Sequence, residues 1–124
     1  MAEPQGRKRV LIVEDASIIR AMLNKTFAAQ GFDCIEVTRG EDAIKAYRDS
    51  KPDLVTLDIH MEGLSGMSVL QVLRTIDPNA RIIIVSVDGD RVFIEEAIRQ
   101  GAKAFVVKPF QPEALVEAVA RAFE

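Results

Sequence analysis

The sequence predicts an α/β fold, a five-stranded parallel sheet with helices on both faces, and three observations carry that reading. Five short apolar runs alternate with five segments of helical period. The runs are continuous and mostly rich in Val and Ile, as strands covered on both faces must be, and each is too short for a helix. Strict alternation makes parallel pairing through right-handed crossovers the least costly way to connect them.

Taken in order, a tail over 1–8 leads into the first strand, Arg9–Val13. Ile19, Leu23 and Phe27 then recur on one helix face, and the pattern stops at Gly31. Cys34–Val37 is the second strand. The second helix follows with Ala43, Ile44 and Tyr47, has Glu41 and Asp42 in its first turn, where the helix dipole favours negative charge, and stops before Pro52. Leu54–Leu57 is the third strand, and Val69, Leu70 and Leu73 mark a helix that stops before Pro78. Arg81–Val85 is the fourth strand, and the helix through Ile94, Ala97 and Ile98 ends at Gly101. After the fifth strand, Phe105–Val107, the last helix opens at Pro112, whose missing N–H is tolerated in a first turn. It carries Glu113 there and is expected to bury Leu115, Val119 and Phe123.

At 124 residues this is one domain, taken as 9–124 behind the 1–8 tail, and large enough to fold without disulfide or metal staples. Hydrophobic residues at 48% and charged residues at 28% exclude a disordered, collagenous or membrane-spanning chain. Lys plus Arg is 16 against 19 for Asp plus Glu, and the resulting net charge of −3 argues against direct nucleic-acid binding, leaving only a local basic patch open. Cys34 is the only cysteine, so it has no partner for an internal bridge and reads as a small buried hydrophobe. The start, with Glu3 and Pro4, lacks the apolar run of a signal peptide, so the expected location is cytoplasmic, without membrane insertion.

Chemistry in an open parallel sheet collects beyond the carboxyl ends of the strands. Here those positions are strongly polar: Glu14 and Asp15 after the first run, Asp58 after the third, Ser86 at the end of the fourth, and Lys108 followed by Pro109 after the fifth. Thr38 and Arg39 follow the second run, too far out to join if that strand is an edge. Three carboxylates brought together repel by about 4 kcal/mol per pair at roughly 4 Å and an effective dielectric near 20. Lys108 supplies one compensating charge, and the all-oxygen remainder suits a hard cation such as Mg²⁺, which would also make a phosphoryl group welcome. Singly, each residue has an ordinary reading as a solvated strand end, a cap, a satisfied hydroxyl or a surface lysine. Their conjunction at four strand ends does not.

That ordered set, with Leu57-Asp58-Ile59-His60-Met61, the Gly63-Leu64-Ser65-Gly66 turn and Lys108-Pro109-Phe110, resembles the receiver domains of two-component response regulators from Arg9 to Glu124. The resemblance implies a flavodoxin-like sheet of order 2-1-3-4-5, an order that comes with the family and not from periodicity. It implies that Asp58 accepts a phosphoryl group from a sensor histidine kinase or a histidine phosphotransfer protein, the chain being otherwise no enzyme beyond self-phosphotransfer and autodephosphorylation. Asp15, Asp58 and the backbone carbonyl of His60 would ligate Mg²⁺, Glu14 would hold it through water, and Lys108 and Ser86 would grip phosphoryl oxygens. A cis peptide between Lys108 and Pro109 is expected. Ser86 would shift toward the phosphoryl group while the ring of Phe105 turns, so that a downstream protein reads the change on the face of the fourth helix, fifth strand and fifth helix, where Arg91 and Phe93 are candidate contacts. His60 and Asp88, each two residues beyond a core member, would tune the lifetime of the phosphoryl group. Two positions depart from the family's habit: Glu62 stands where a proline is usual, and Val87 where a smaller residue is usual.

Three other functions share part of this pattern. A flavodoxin-like carrier of FMN needs a Ser/Thr-rich phosphate loop where this chain has Glu14-Asp15-Ala16-Ser17. A phosphohydrolase using Asp58 usually needs a second acid two residues on, where His60 stands. A receiver-like interaction module that never needs phosphate is opposed by the intact set of Asp58, Ser86 and Lys108. The expected output is by protein contact, from a stand-alone regulator or a piece of a longer one.

Overall fold

The computed structural model describes residues 7–61, 63–87, 89 and 91–124. Strands and helices alternate along them: β1 (Arg9–Val13), α1 (Ser17–Ala29), β2 (Asp33–Val37), α2 (Gly40–Ser50), β3 (Leu54–Leu57), α3 (Gly66–Ile76), β4 (Ile82–Ser86), α4 (Arg91–Arg99), β5 (Ala104–Val107) and α5 (Pro112–Ala122). All neighbouring strands pair in parallel in the order β2-β1-β3-β4-β5, as expected.

The period of two along each strand sorts the core into two layers. Leu11 and Val13 of β1, Val55 and Leu57 of β3 and Ile82 and Ile84 of β4 face α2, α3 and α4, where they meet Ala43, Tyr47, Val69, Leu70, Leu73 and Ala97. Val10, Ile12, Leu54, Ile83 and Val85 point the other way, onto Leu23 and Phe27 of α1 and Leu115, Ala118 and Ala122 of α5. No helix among the described residues is long and apolar enough to cross a membrane.

Several details differ from the sequence expectation, beginning with β2 and β5, which start one residue earlier, at Asp33 and Ala104. β4 starts at Ile82, not Arg81; the Arg81 side chain instead lies over the Phe123 ring, 4.6 Å from its centroid. β2 is an edge strand with no fully buried residue, so Cys34 is only half-buried and its thiol lies 3.7 Å from the Asn24 carbonyl. On α4 the sheet-facing position is Ala97, with Phe93 and Ile94 half-buried, which leaves Ile98 on the rim at 45% exposure. On α5 the innermost stripe is Leu115, Ala118 and Ala122, so Val119 and Phe123 flank the core and Phe123 packs beside Phe32, its ring centroid 6.5 Å away.

Candidate functional site

Backbone pairing delivers the acidic residues to one place. The Glu14 N–H donates to Val37 O of β2 at 3.1 Å, and the Asp58 N–H donates to Val13 O of β1, also at 3.1 Å, which sets Asp58 beside the residues that follow β1. Glu14, Asp15 and Asp58 each bring a carboxylate oxygen within 4.8 Å of the others. Glu14 and Asp58 are buried while Asp15 is exposed, so the cluster opens to solvent at Asp15.

Lys108 reaches this cluster from the far side of the sheet. Its N–H donates to Ser86 O at 2.8 Å, its peptide to Pro109 is cis as expected, and its Nζ lies 3.4 Å from Asp58 Oδ2. Nζ also lies 2.9 Å from Glu14 Oε1 and 3.2 Å from Oε2. The ammonium thus pairs with both Glu14 oxygens, Oε2 through a hydrogen bond and Oε1 as the closer ion-pair contact. Burial pushes the Glu14 carboxyl above its ordinary pKa and the Asp58 charge adds to the rise, against the Lys108 bond. Three carboxylates clustered within 4.8 Å of one another against a single ammonium leave negative charge that fits a divalent cation with oxygen ligands.

The loop after β3 is tied down from two sides. Asp58 Oδ1 accepts the His60 N–H at 3.2 Å, and Ile59 O accepts the Gly66 N–H at 3.0 Å, bringing the start of α3 against the Asp58 backbone. A Cβ at Gly66 would lie 2.2 Å from Asp58 O and 2.6 Å from Ile59 Cα, so only glycine fits. The Ser65 hydroxyl caps α3 by accepting the Ser68 N–H.

Ser86 is fully buried at the end of β4, and the next residue, Val87, is 65% exposed. The His60 side chain is exposed, and its ring lies nearly parallel to Phe93, with centroids 6.4 Å apart and planes inclined by 14°. Phe93 in turn meets Phe105 edge-on at 6.1 Å, joining the loop after Asp58 to α4 and β5 through ring contacts. Phe105 is half-buried, and exposed Arg91 opens α4. Asp88 and Glu62 lie outside the described residues. Arg39 pairs with Glu41 at 3.2 Å, away from the cluster, since β2 is the edge.

Sequence reasoning missed Arg20 and its partner Glu36. Arg20 Nη1 donates to Glu14 O at 3.0 Å and, at a longer 3.4 Å, to Asp15 O; its Nε donates to Glu36 Oε1 at 3.1 Å. A signal was present in the sequence, for a cation in the first turn of a helix opposes the helix dipole, and α1 has no acid there to offset it.

The family model described as response regulator receiver domain matches residues 10–120. The chemotaxis protein CheY of Thermotoga maritima is 45% identical over 113 residues, which cover 90% of this chain and 94% of that protein. The CheY of Bacillus subtilis is 40% identical over 112 residues, covering 90% and 93%. Among solved structures, a chain of the CheX-CheY-BeF3-Mg+2 complex from Borrelia burgdorferi superposes with a TM-score of 0.91 at 31% identity, covering 99% of each chain.

Proposed function

This chain belongs to the receiver-domain family of two-component response regulators, and from that premise we propose that Asp58 is its phosphoacceptor. Phosphorylation and Mg²⁺ are typical of the family. One observation carries the reading for this chain: a buried Asp58 carboxylate, 3.4 Å from a nearly buried ammonium, clustered with two further carboxylates at the strand ends.

In the proposed step an Asp58 oxygen attacks the phosphorus of a phosphohistidine on a sensor kinase or phosphotransfer protein. The O–P bond forms as the P–N bond breaks, and the electron pair returns to the imidazole. Lys108 neutralises charge on the acceptor and on the incoming oxygens, and the Ser86 hydroxyl donates to one of them. Asp15, Asp58 and the His60 carbonyl are the residues that would hold Mg²⁺, with Glu14 acting through water; when bound, the ion neutralises carboxylate and phosphoryl charge together. Burial of Asp58 limits attack by water, and His60 and Asp88 set what access remains.

Output follows the ring contacts. Ser86 shifts, Phe105 turns, and a downstream protein reads the change on the α4-β5-α5 face. Phe93 against Phe105, with Val92 at 74% and Val107 at 41% exposure, supports that face as apolar and coupled to the acceptor. The chain thus acts as a cytoplasmic signalling protein whose own chemistry is limited to gaining and losing the phosphoryl group.

Intact mass after incubation with a small phosphodonor and Mg²⁺ tests the assignment. The parent gains one phosphoryl group, chelation prevents it, and Asp58→Asn gains none. Undiminished labelling of Asp58→Asn would overturn the role of Asp58, and an unlabelled parent would favour the module that needs no phosphate.

A further inference from the structure

We propose that Arg20 and Glu36 are positioning residues for the metal site, fixing the backbone of the acidic pair without adding net charge beside it. This rests on the reading of Glu14, Asp15 and Asp58 as that site.

Asp15 is the exposed member of the cluster, and its carboxylate goes where its backbone is held. Glu14 is anchored through its N–H to Val37 O, and its Oε2 accepts the Ala16 N–H at 3.2 Å. Arg20 holds the two carbonyls between those anchors, Glu14 O and Asp15 O, with one guanidinium nitrogen. A rigid fork suits that geometry, because Nη1 takes the carbonyls while Nε is occupied by Glu36, so the guanidinium is fixed at both ends. Glu36 is fixed in its turn, because its other oxygen accepts from Asn24 Nδ2 at 2.5 Å. The chain of contacts runs from α1 through β2 and back to the β1–α1 loop, and the Arg20 side chain is only 20% exposed along it.

Charge alone would make Arg20 a poor neighbour for a divalent cation. A guanidinium close to a Mg²⁺ site repels the ion, and the positive end of α1 adds to the repulsion. Glu36, 3.1 Å away, offsets that charge, so what remains of Arg20 is its geometry. The two roles predict opposite signs. If Arg20 acted only through its charge, removing it would tighten Mg²⁺ binding; if it positions the ligands, removing it weakens binding. Groups that orient metal ligands from behind typically contribute about tenfold or more to affinity.

The test titrates Mg²⁺ into the unphosphorylated full chain by calorimetry, with amide NMR spectra of each variant recorded in chelator. Arg20→Ala should bind Mg²⁺ about tenfold more weakly, with shifts concentrated at residues 14–16 before any metal is added. Arg20→Lys keeps the charge but has a single nitrogen that cannot bridge Glu36 and both carbonyls, so it should also bind weakly. Should Arg20→Ala fail to fold, Arg20→Lys decides alone. Affinity unchanged or tighter in Arg20→Ala, or parent affinity in Arg20→Lys, overturns the proposal while leaving the metal site standing. A parent that binds no Mg²⁺ overturns both.

Discussion

Replacing Gly66 by alanine tests whether the start of α3 is pressed against the Asp58 backbone as closely as the geometry requires. The new methyl would sit 2.2 Å from Asp58 O, 2.6 Å from Ile59 Cα and 2.9 Å from the Asp58 carbonyl carbon, all backbone atoms that no side-chain rotation can move aside. Ordinary contact needs about 3.5 Å, so α3 or the loop must retreat by roughly 1 Å. Overpacking of this kind costs about 1–3 kcal/mol. Alanine recovers up to about 1 kcal/mol through its better helix propensity, less at a first helical position. The net loss is about 1–2 kcal/mol, which for a chain of this size lowers the melting temperature by about 4–8 °C. Either movement loosens the packing that holds the Asp58 backbone in place, so phosphorylation should slow far more, by about 100-fold, the usual cost of a 1 Å misplacement. Thermal melts in chelator and timed mass spectra with a small phosphodonor measure both. A variant that melts with the parent and labels at the parent's rate would refute the reasoning. Gly31→Ala is the control, since that residue has open space around it but a φ of +92°: it should lose stability through backbone strain yet label normally.

Tyr47 is the only tyrosine, its hydroxyl donates to Asp77 Oδ2 at 2.8 Å, and burial, then the Asp77 bond and charge, pushes its pKa well above the ordinary value near 10. With the folded value raised, the stabilisation is complete below pH about 10 and is lost as pH rises toward the folded value. Phenolate absorbance should therefore appear only at strongly alkaline pH, and Tyr47→Phe should cost about 1.5–3 kcal/mol at neutral pH; native titration near pH 10 would contradict this. Lys108→Ala leaves two buried carboxylates without their cation and should cost about 3 kcal/mol in denaturant melts at neutral pH, partly restored by saturating Mg²⁺. A loss that Mg²⁺ leaves untouched would argue against a shared site. Phosphorylation should shift NMR signals of Phe93 and Phe105 as well as those of the Asp58 loop, and shifts confined to that loop would remove the proposed output path.

The strand-helix order was legible because a sheet covered on both faces forces continuous apolar runs, and the central strands β1 and β3 begin and end where those runs do. Errors fell where a neighbour outside the local window decides burial. Cys34 lies in a strand but on the sheet edge, and Ala118 and Ala122 displace larger residues from the inner stripe of α5 because small side chains fit closest to the sheet. The acidic pair, Asp58 and Lys108 were legible because strand ends converge by topology alone. Arg20 and Glu36 were legible only in part: the unopposed cation in the first turn of α1 stands in the sequence, but only the folded loop brings the Glu14 and Asp15 carbonyls and Glu36 of β2 to its guanidinium. Gly66 reads from the sequence as part of a turn, but the reason for glycine there, a carbonyl one methyl's width away, is a tertiary fact.

The division of the apolar interior into two layers by one sheet has a practical corollary for engineering. Leu23, Phe27 and Leu115 lie on the side of α1 and α5, whereas Val69, Leu70 and Ala97 lie on the side of α2, α3 and α4, and the sheet separates the two sets. Substitutions on opposite sides share no partners, so their effects on folding free energy should sum to within about 0.5 kcal/mol. A designer could therefore recast the α1-α5 layer for heat tolerance while the α4 layer, which carries Phe93, keeps its original packing. Coupling is expected instead within each layer, and at the strand ends, where Lys108 from beyond β5 meets Glu14 from beyond β1.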